Sequence, residues 1–144
     1  MYTGGQKEMK RIEILRQSRY WIKKLGFKNI SIYIKREDDW VYGQAQLKKG
    51  GHSITFFGMK EEDLLPVLFH ELGHIYYNHC RIKNTSSFQE YKAEKFALRN
   101  LKKFLPDKFE YRINQLERCI NNFAWAQIYP EHTEALMKIL KGLK

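Results

Sequence analysis

The apolar residues of this chain change their spacing near residue 64, and that change restricts the folds open to it. Between residues 30 and 57 they alternate with polar residues, as at Ile30, Ile32 and Ile34. Such alternation, with many β-branched residues, is typical of strands. From Leu64 almost to the C-terminus the apolar spacing is that of helices. We therefore expect strands followed by helices within one domain.

Local signals predict one helix, three strands and four further helices. The first helix runs from Lys7 to Leu25 and stops at Gly26. We expect the strands to form a three-stranded, mainly antiparallel sheet, from Ile30 to Lys35, Trp40 to Leu47 and His52 to Phe57. Asp63 is predicted to cap the next helix. The later helices are predicted at residues 64–78, 87–105, 109–128 and 131–143. The expected fold class is α+β, as a single domain over residues 1–144.

The chain is basic, and its charge is unevenly distributed. Its 26 Lys and Arg residues against 16 Asp and Glu residues give a net charge of +10. An excess of this size permits attraction to nucleic acid or to acidic proteins. Residues 51–100 are electrically balanced, whereas most of the excess lies in residues 1–50. The basic surface is therefore expected to lie outside the reactive centre.

Composition also indicates the cellular compartment of the protein. The two cysteines, Cys80 and Cys119, provide no disulfide framework, which favours a cytoplasmic protein with free thiols. The longest apolar stretch, from Leu64 to Phe69, is far too short to cross a bilayer, so no membrane partner is expected. The N-terminal segment from Met1 to Arg16 lacks the apolar core of a signal peptide.

The sequence His70-Glu71-Leu72-Gly73-His74 is an HExxH motif inside a predicted helix. A spacing of four places both imidazoles on one helix face, where they can bind a single Zn²⁺. Glu71 projects beside the metal and can take a proton from its water. Gly73 costs about 1 kcal/mol relative to alanine in mid-helix, which indicates close approach of another backbone.

A catalytic zinc site needs a third protein ligand, and Glu90 on the next helix is the leading candidate. Glu90 lies near the centre of the face that carries Ala93, Phe96 and Ala97. A carboxylate directed at the core needs a partner, and a metal is one.

Three alternatives to the Glu90 ligand remain open on the sequence alone. The run from Ser87 to Glu90 also fits a capping box, in which Glu90 returns to the Ser87 backbone. Glu94 is either a substitute ligand or a carboxylate that orients a histidine. Cys80, six residues after His74, offers a thiolate.

These residues resemble the ImmA/IrrE family of small zinc metallopeptidases, whose pattern is HELGH followed by ExxA(N/D)xFA. His70 to His74 match the first part, and Glu90 to Ala97 match the second, with Glu94 where the family usually has Asn or Asp. The likeness implies that His70, His74 and Glu90 bind zinc and that Glu71 is the general base. It further implies a protein substrate, with DNA-binding repressors in phages and mobile elements as the family precedent.

A SprT-like protease is a rival, but it normally takes a third histidine downstream, where this chain has only His79 and His132. We expect a zincin-like domain in which an edge strand, His52 to Phe57 or its neighbour, pairs with an extended peptide. Tyr76, Tyr77 and His132 are candidates to stabilise an oxyanion. A second hypothesis is a non-catalytic zinc module that binds nucleic acid or a DNA-bound protein through its basic surface. Oligomeric state is left open.

Overall fold

The structure, a computed structural model, describes most of the chain. Several predicted features lie outside the described residues: Cys80, His79, the loop at 81–85, the start of the second predicted strand and the side chain of His132. Cys119 is described and is a free thiol. For the strand at 43–48 only the backbone is described. The described residues are 9–35, 43–48, 51–57, 59–77, 87–122, 127 and 130–143.

Five long helices and three short strands make up the regular structure of these residues. The strands are β1 (Ile30–Lys35), β2 (Gly43–Lys48) and β3 (Gly51–Phe57). The helices are α1 (Arg11–Lys24), α2 (Glu61–Tyr76), α3 (Ser87–Phe104), α4 (Pro106–Ile120) and α5 (Pro130–Leu143). No described helix combines the length and the apolar content that a bilayer span requires.

The predicted fold class is wrong, because the molecule is mostly helical and its sheet is not mainly antiparallel. The strand order is β1-β3-β2. β1 runs parallel to β3, with Ile32 opposite Ile54, and only β2 is antiparallel to it. β3 pairs with β1 on one side and β2 on the other, so it takes the centre of the sheet and strand pairing does not follow chain order. Its Ile54 and Phe56 are completely buried. Of the two options predicted for the peptide-binding edge, His52 to Phe57 is therefore wrong and its neighbour remains, since the outer strands of the described sheet are β1 and β2.

Helix α2 begins earlier than predicted, and Asp63 is not its N-cap. The helix starts at Glu61 after Lys60, which makes no side-chain capping bond. Glu61, Glu62 and Asp63 instead occupy the first turn, where negative charge complements the helix dipole. Pro66 consequently lies inside the helix, where it removes one backbone donor. The carboxylate of Asp63 is directed at α4.

Helix α2 occupies the centre of the molecule. It packs against α1, β2, β3, α3 and α4, and its contact with α3 is the most extensive among the described elements. The residues of its apolar face are buried in a common core with β3, α1 and α3: Leu64, Leu65, Leu68, Phe69, Leu72 and Ile75. The motif helix is therefore held on several sides, which fixes the position of the side chains on its remaining face.

Gly73 lies where the backbone of α3 comes close to that of α2. A Cβ atom added to Gly73 would lie 2.6 Å from the carbonyl oxygen of Ala93 and 2.8 Å from its Cα. Backbone atoms cannot move aside as a flexible side chain can, so only glycine fits here. The close approach predicted from this mid-helix glycine is confirmed.

We expect Gly73→Ala to lower the free energy of unfolding by about 1–3 kcal/mol, because the new methyl group forces α2 and α3 apart. Gly142→Ala is the matched control, since nothing lies within 4 Å of a Cβ at that helical position. That control should leave stability unchanged or raise it by up to about 1 kcal/mol. Urea unfolding followed by circular dichroism measures both. Equal effects at the two glycines would contradict the packing argument.

Candidate metal centre

Three side chains from two helices converge on one point. His70 and His74 lie one turn apart on α2, and Glu90 lies in the first turn of α3. One ligand atom from each residue falls within 4.8 Å of the other two. The Nε2 atom of His74 is 2.7 Å from Oε2 of Glu90, and that of His70 is 3.4 Å from Oε1. The arrangement offers two imidazole nitrogens and a carboxylate to a single cation.

The two oxygens of Glu90 are directed at the two imidazoles, as the ligand prediction requires. Its side chain is only 15% exposed, and the side chains of His70 and His74 are 16% and 7% exposed. In the capping-box alternative Glu90 returns to the Ser87 backbone, and the reciprocal bond needs the Ser87 side chain, which lies outside the described side chains. Cys80, the other alternative ligand, is likewise outside the described residues.

Glu94 lies on the opposite side of the His70 ring from Glu90. Its Oε1 atom is 2.7 Å from Nδ1 of His70, so the ring nitrogen donates to the carboxylate. With its proton on Nδ1, the neutral imidazole keeps the lone pair of Nε2 for a metal. Of the two roles open to Glu94, the geometry favours orientation of His70 over direct ligation.

Arg112 on α4 binds the same carboxylate, and no sequence signal had singled it out. Its Nε atom donates to Oε2 of Glu94 at 2.9 Å, and a terminal nitrogen donates to Oε1 at 2.7 Å. Glu94 is 1% exposed, whereas the side chain of Arg112 is 21% exposed. The only signal available was a basic residue close to the apolar positions Phe109, Ile113 and Leu116, a pattern shared by many surface helices.

The polar contacts continue from Arg112 to the start of α2. Gln115 accepts from Arg112 at 3.2 Å and donates to Asp63 at 2.9 Å. The hydroxyl of Tyr111 donates to the same Asp63 oxygen at 2.8 Å. These hydrogen bonds satisfy the carboxylate of Asp63, which is buried in the first turn of α2 and only 8% exposed. A continuous polar network thus runs from His70 through α3 and α4 back to α2.

The network shifts the pKa values of its members. Burial by itself would raise the pKa of Glu94, but the charge and hydrogen bonds of Arg112, with the bond from His70, hold it well below its usual range. Burial would lower the pKa of His70, but hydrogen bonds to Glu90 and Glu94 outweigh burial and raise it in the metal-free protein. For Tyr111, burial raises the pKa of the hydroxyl, and the hydrogen bond to Asp63 raises it further. Glu94 is therefore ionised in the folded protein, and its negative charge faces Nδ1 of His70.

Glu71, the predicted general base, is 8% exposed and adjoins His70 in α2. Of the candidates to stabilise an oxyanion, Tyr76 is 61% exposed, and its ring contacts Tyr77 and Phe96. Tyr77 is half-buried, with the ammonium of Lys92 4.8 Å from its ring centroid. These contacts give no reason to select either tyrosine.

No protein-family model, curated protein or solved structure matches the chain. The likeness to a metallopeptidase family therefore depends on the residues themselves, from His70 to His74 and from Glu90 to Ala97. What these residues can do follows from the geometry described above.

We expect Glu94→Gln to destabilise the metal-free protein by roughly 3–5 kcal/mol at neutral pH, because it leaves Arg112 without its counter-charge. The pKa of Glu94 lies below its ordinary value of 4.5 in the folded state. The charge of Glu94 therefore stabilises the folded state fully at a pH above 4.5. This contribution to the free energy of unfolding is lost as the pH falls toward the pKa of Glu94 in the folded state. Urea unfolding should show the gap between wild type and variant narrowing below about pH 4.5.

Glu110→Gln is the control, since Glu110 is exposed on α4. It should change stability by no more than about 0.5 kcal/mol. A difference in stability between wild type and Glu94→Gln that stays constant on acidification would contradict an ionised Glu94–Arg112 pair.

Proposed function

We propose that the protein is a zinc-dependent metallopeptidase that hydrolyses peptide bonds in a protein substrate. The observation that carries the proposal is the convergence of His70, His74 and Glu90, with the buried Glu71 adjacent to His70 in the chain. Two histidines and a glutamate are the ligand set of one class of catalytic zinc sites. A glutamate adjacent to the first histidine is the general base of such sites.

The donor atoms fit a zinc ion. Ligands about 2.0–2.2 Å from a tetrahedral ion lie roughly 3.3–3.5 Å from one another. The 3.4 Å between Nε2 of His70 and Oε1 of Glu90 is in this range. The 2.7 Å between His74 and Glu90 is a hydrogen-bond distance, so a small movement of the Glu90 carboxylate accommodates the ion. His70 already has its second nitrogen engaged, as zinc-binding histidines do.

The chain's own residues supply binding, orientation and proton transfer. A bound zinc ion would polarise the scissile carbonyl and lower the pKa of a water toward 7. Glu71 accepts the proton of that water and delivers it to the leaving amine. Glu94 holds the His70 ring in the tautomer that binds metal through Nε2.

The substrate is proposed to bind in extended form along the outer edge of β2, with which no other described strand pairs. Of the two outer strands, β2 has its backbone closer to α2 than β1 does. Backbone hydrogen bonds to an edge strand hold a peptide in register without demanding one sequence. By the resemblance of its motifs, a DNA-binding repressor or regulator is the proposed substrate class.

The competing hypothesis is a non-catalytic zinc module that binds nucleic acid through its basic surface. Glu71 favours the peptidase, because a glutamate that follows the first histidine of an HExxH motif acts as the general base in a catalytic zinc site and has no such use in a structural one.

We expect Glu71→Gln to lower proteolysis by about 10²–10⁴-fold while zinc stays bound, because the general base is removed and the ligands are kept. Comparison of the proteins in cells that contain wild type or the variant identifies cleaved substrates. The matched control is Glu61→Gln at the exposed start of the same helix, which should leave cleavage unchanged.

Retention of full cleavage by Glu71→Gln would contradict the peptidase. Salt-dependent binding to DNA that survives this substitution, with no protein cleaved by the wild type, would instead support the zinc module.

We expect Glu90→Gln to weaken zinc binding by more than about 100-fold, a larger loss than the removal of an orienting partner causes. Metal analysis after dialysis and competition with a coloured chelator measure this affinity. Glu117→Gln, at an exposed position of α4, is the control. If Glu94→Gln removes the metal and Glu90→Gln does not, the ligand assignment is wrong.

A further inference from the structure

We propose that Arg112 is a positioning residue of the metal centre, which increases zinc affinity by fixing the carboxylate that orients His70. The inference depends on the proposed function only in that zinc is the ligand of His70. Arg112 lies on α4, outside both motifs, and its side-chain hydrogen bonds within the described part of the chain go to Glu94 and Gln115. Its effect on the metal must therefore pass through Glu94.

The geometry shows how this effect is transmitted. Rotation of a glutamate carboxylate about its last torsion is soft, and one hydrogen bond from His70 does not fix the plane of the group. The guanidinium of Arg112 bonds both oxygens of Glu94, at 2.9 and 2.7 Å. A planar fork that meets a planar carboxylate sets its orientation as well as balancing its charge. Oε1 is thereby held 2.7 Å from Nδ1 of His70.

Arg112 is itself fixed from the other side. Its remaining terminal nitrogen donates to Gln115 at 3.2 Å. Gln115 is bound in turn to Asp63, which lies two helical turns before His70 on α2. The guanidinium thus joins α4 to both α3 and α2, and the His70 ring is oriented by the packing of three helices.

A salt bridge that only holds α3 to α4 is the ordinary explanation for such a contact. The two explanations differ in their consequences for the metal. A purely structural pair affects the free energy of unfolding and leaves the zinc affinity of the folded protein unchanged. A positioning residue changes the zinc affinity of folded protein, and only while Glu94 is present to transmit its effect.

The experiment measures zinc affinity by chelator competition for wild type, Arg112→Gln and Arg112→Lys, each shown to be folded by circular dichroism. We expect a loss of about 10–100-fold for Arg112→Gln, as for other partners of metal-binding histidines. Arg112→Lys keeps the charge but lacks the fork, so we expect a smaller loss of about tenfold. Arg118→Gln, at an exposed position of the same helix, should stay within about twofold of wild type.

A double-mutant cycle then tests whether the effect of Arg112 on zinc affinity passes through Glu94. In the background of Glu94→Gln, we expect Arg112→Gln to change zinc affinity by no more than about twofold, because the carboxylate it orients is gone. The visible spectrum of cobalt-substituted protein, which reports ligand geometry, should change in Arg112→Gln and stay unchanged in Arg118→Gln. If Arg112→Gln does not fold, Arg112→Lys completes the same cycle.

Wild-type affinity in both Arg112 variants, or a loss that persists undiminished without Glu94, would overturn the inference and leave the peptidase proposal standing. The reverse case is also distinguishable, because the measurement needs no substrate. If zinc binds and the cycle behaves as expected but no protein is cleaved, the peptidase fails and the positioning role holds. A wild-type protein that binds no zinc would overturn both.

Discussion

The close contact between α2 and α3 is the constraint on which the site depends. Gly73 lies between the two histidines of α2, and Ala93 lies between the two glutamates of α3 that flank His70. Because Gly73 has no side chain, the Ala93 backbone occupies the space that a Cβ atom at position 73 would need. Both glutamates are thereby brought to the imidazoles. A larger residue at this position would separate the helices at the point where the ligand atoms meet.

Given that contact, the spacing of the glutamates accounts for their separate roles. Glu90 and Glu94 are four residues apart, so they lie on one face of α3, one turn from each other. The His70 ring lies between them, with Nε2 facing Glu90 and Nδ1 facing Glu94. One helix thus supplies both the carboxylate that we propose as a metal ligand and the carboxylate that accepts from Nδ1 of His70. Sequence periodicity predicted the shared face, but it left the two roles open because both carboxylates can reach an imidazole.

Local signals in the sequence predicted what depends on neighbours along the chain. The strand at Ile30 to Lys35, the helix across His70 to His74 and the close approach at Gly73 all follow from residues within one or two turns. Contacts between distant segments were not predictable in this way. The central position of β3 depends on its pairing with both β1 and β2. The engagement of Arg112 and Asp63 depends on how α4 packs against α3 and α2. These contacts between distant segments produced the errors in strand direction and in the cap of α2.

Burial of Glu94 and Arg112 is informative because folding alone does not favour it. A buried ion pair is often no more stabilising than apolar residues of similar volume, since desolvation offsets much of the attraction. The α3–α4 contact has apolar neighbours, including Leu98 and Leu116, that pack together without charges. The charged pair occurs instead where it meets the Nδ1 atom of His70. The pair thus lies where the imidazole proposed to bind metal needs a fixed carboxylate, whereas charges that only joined the helices would be equally useful at any other turn.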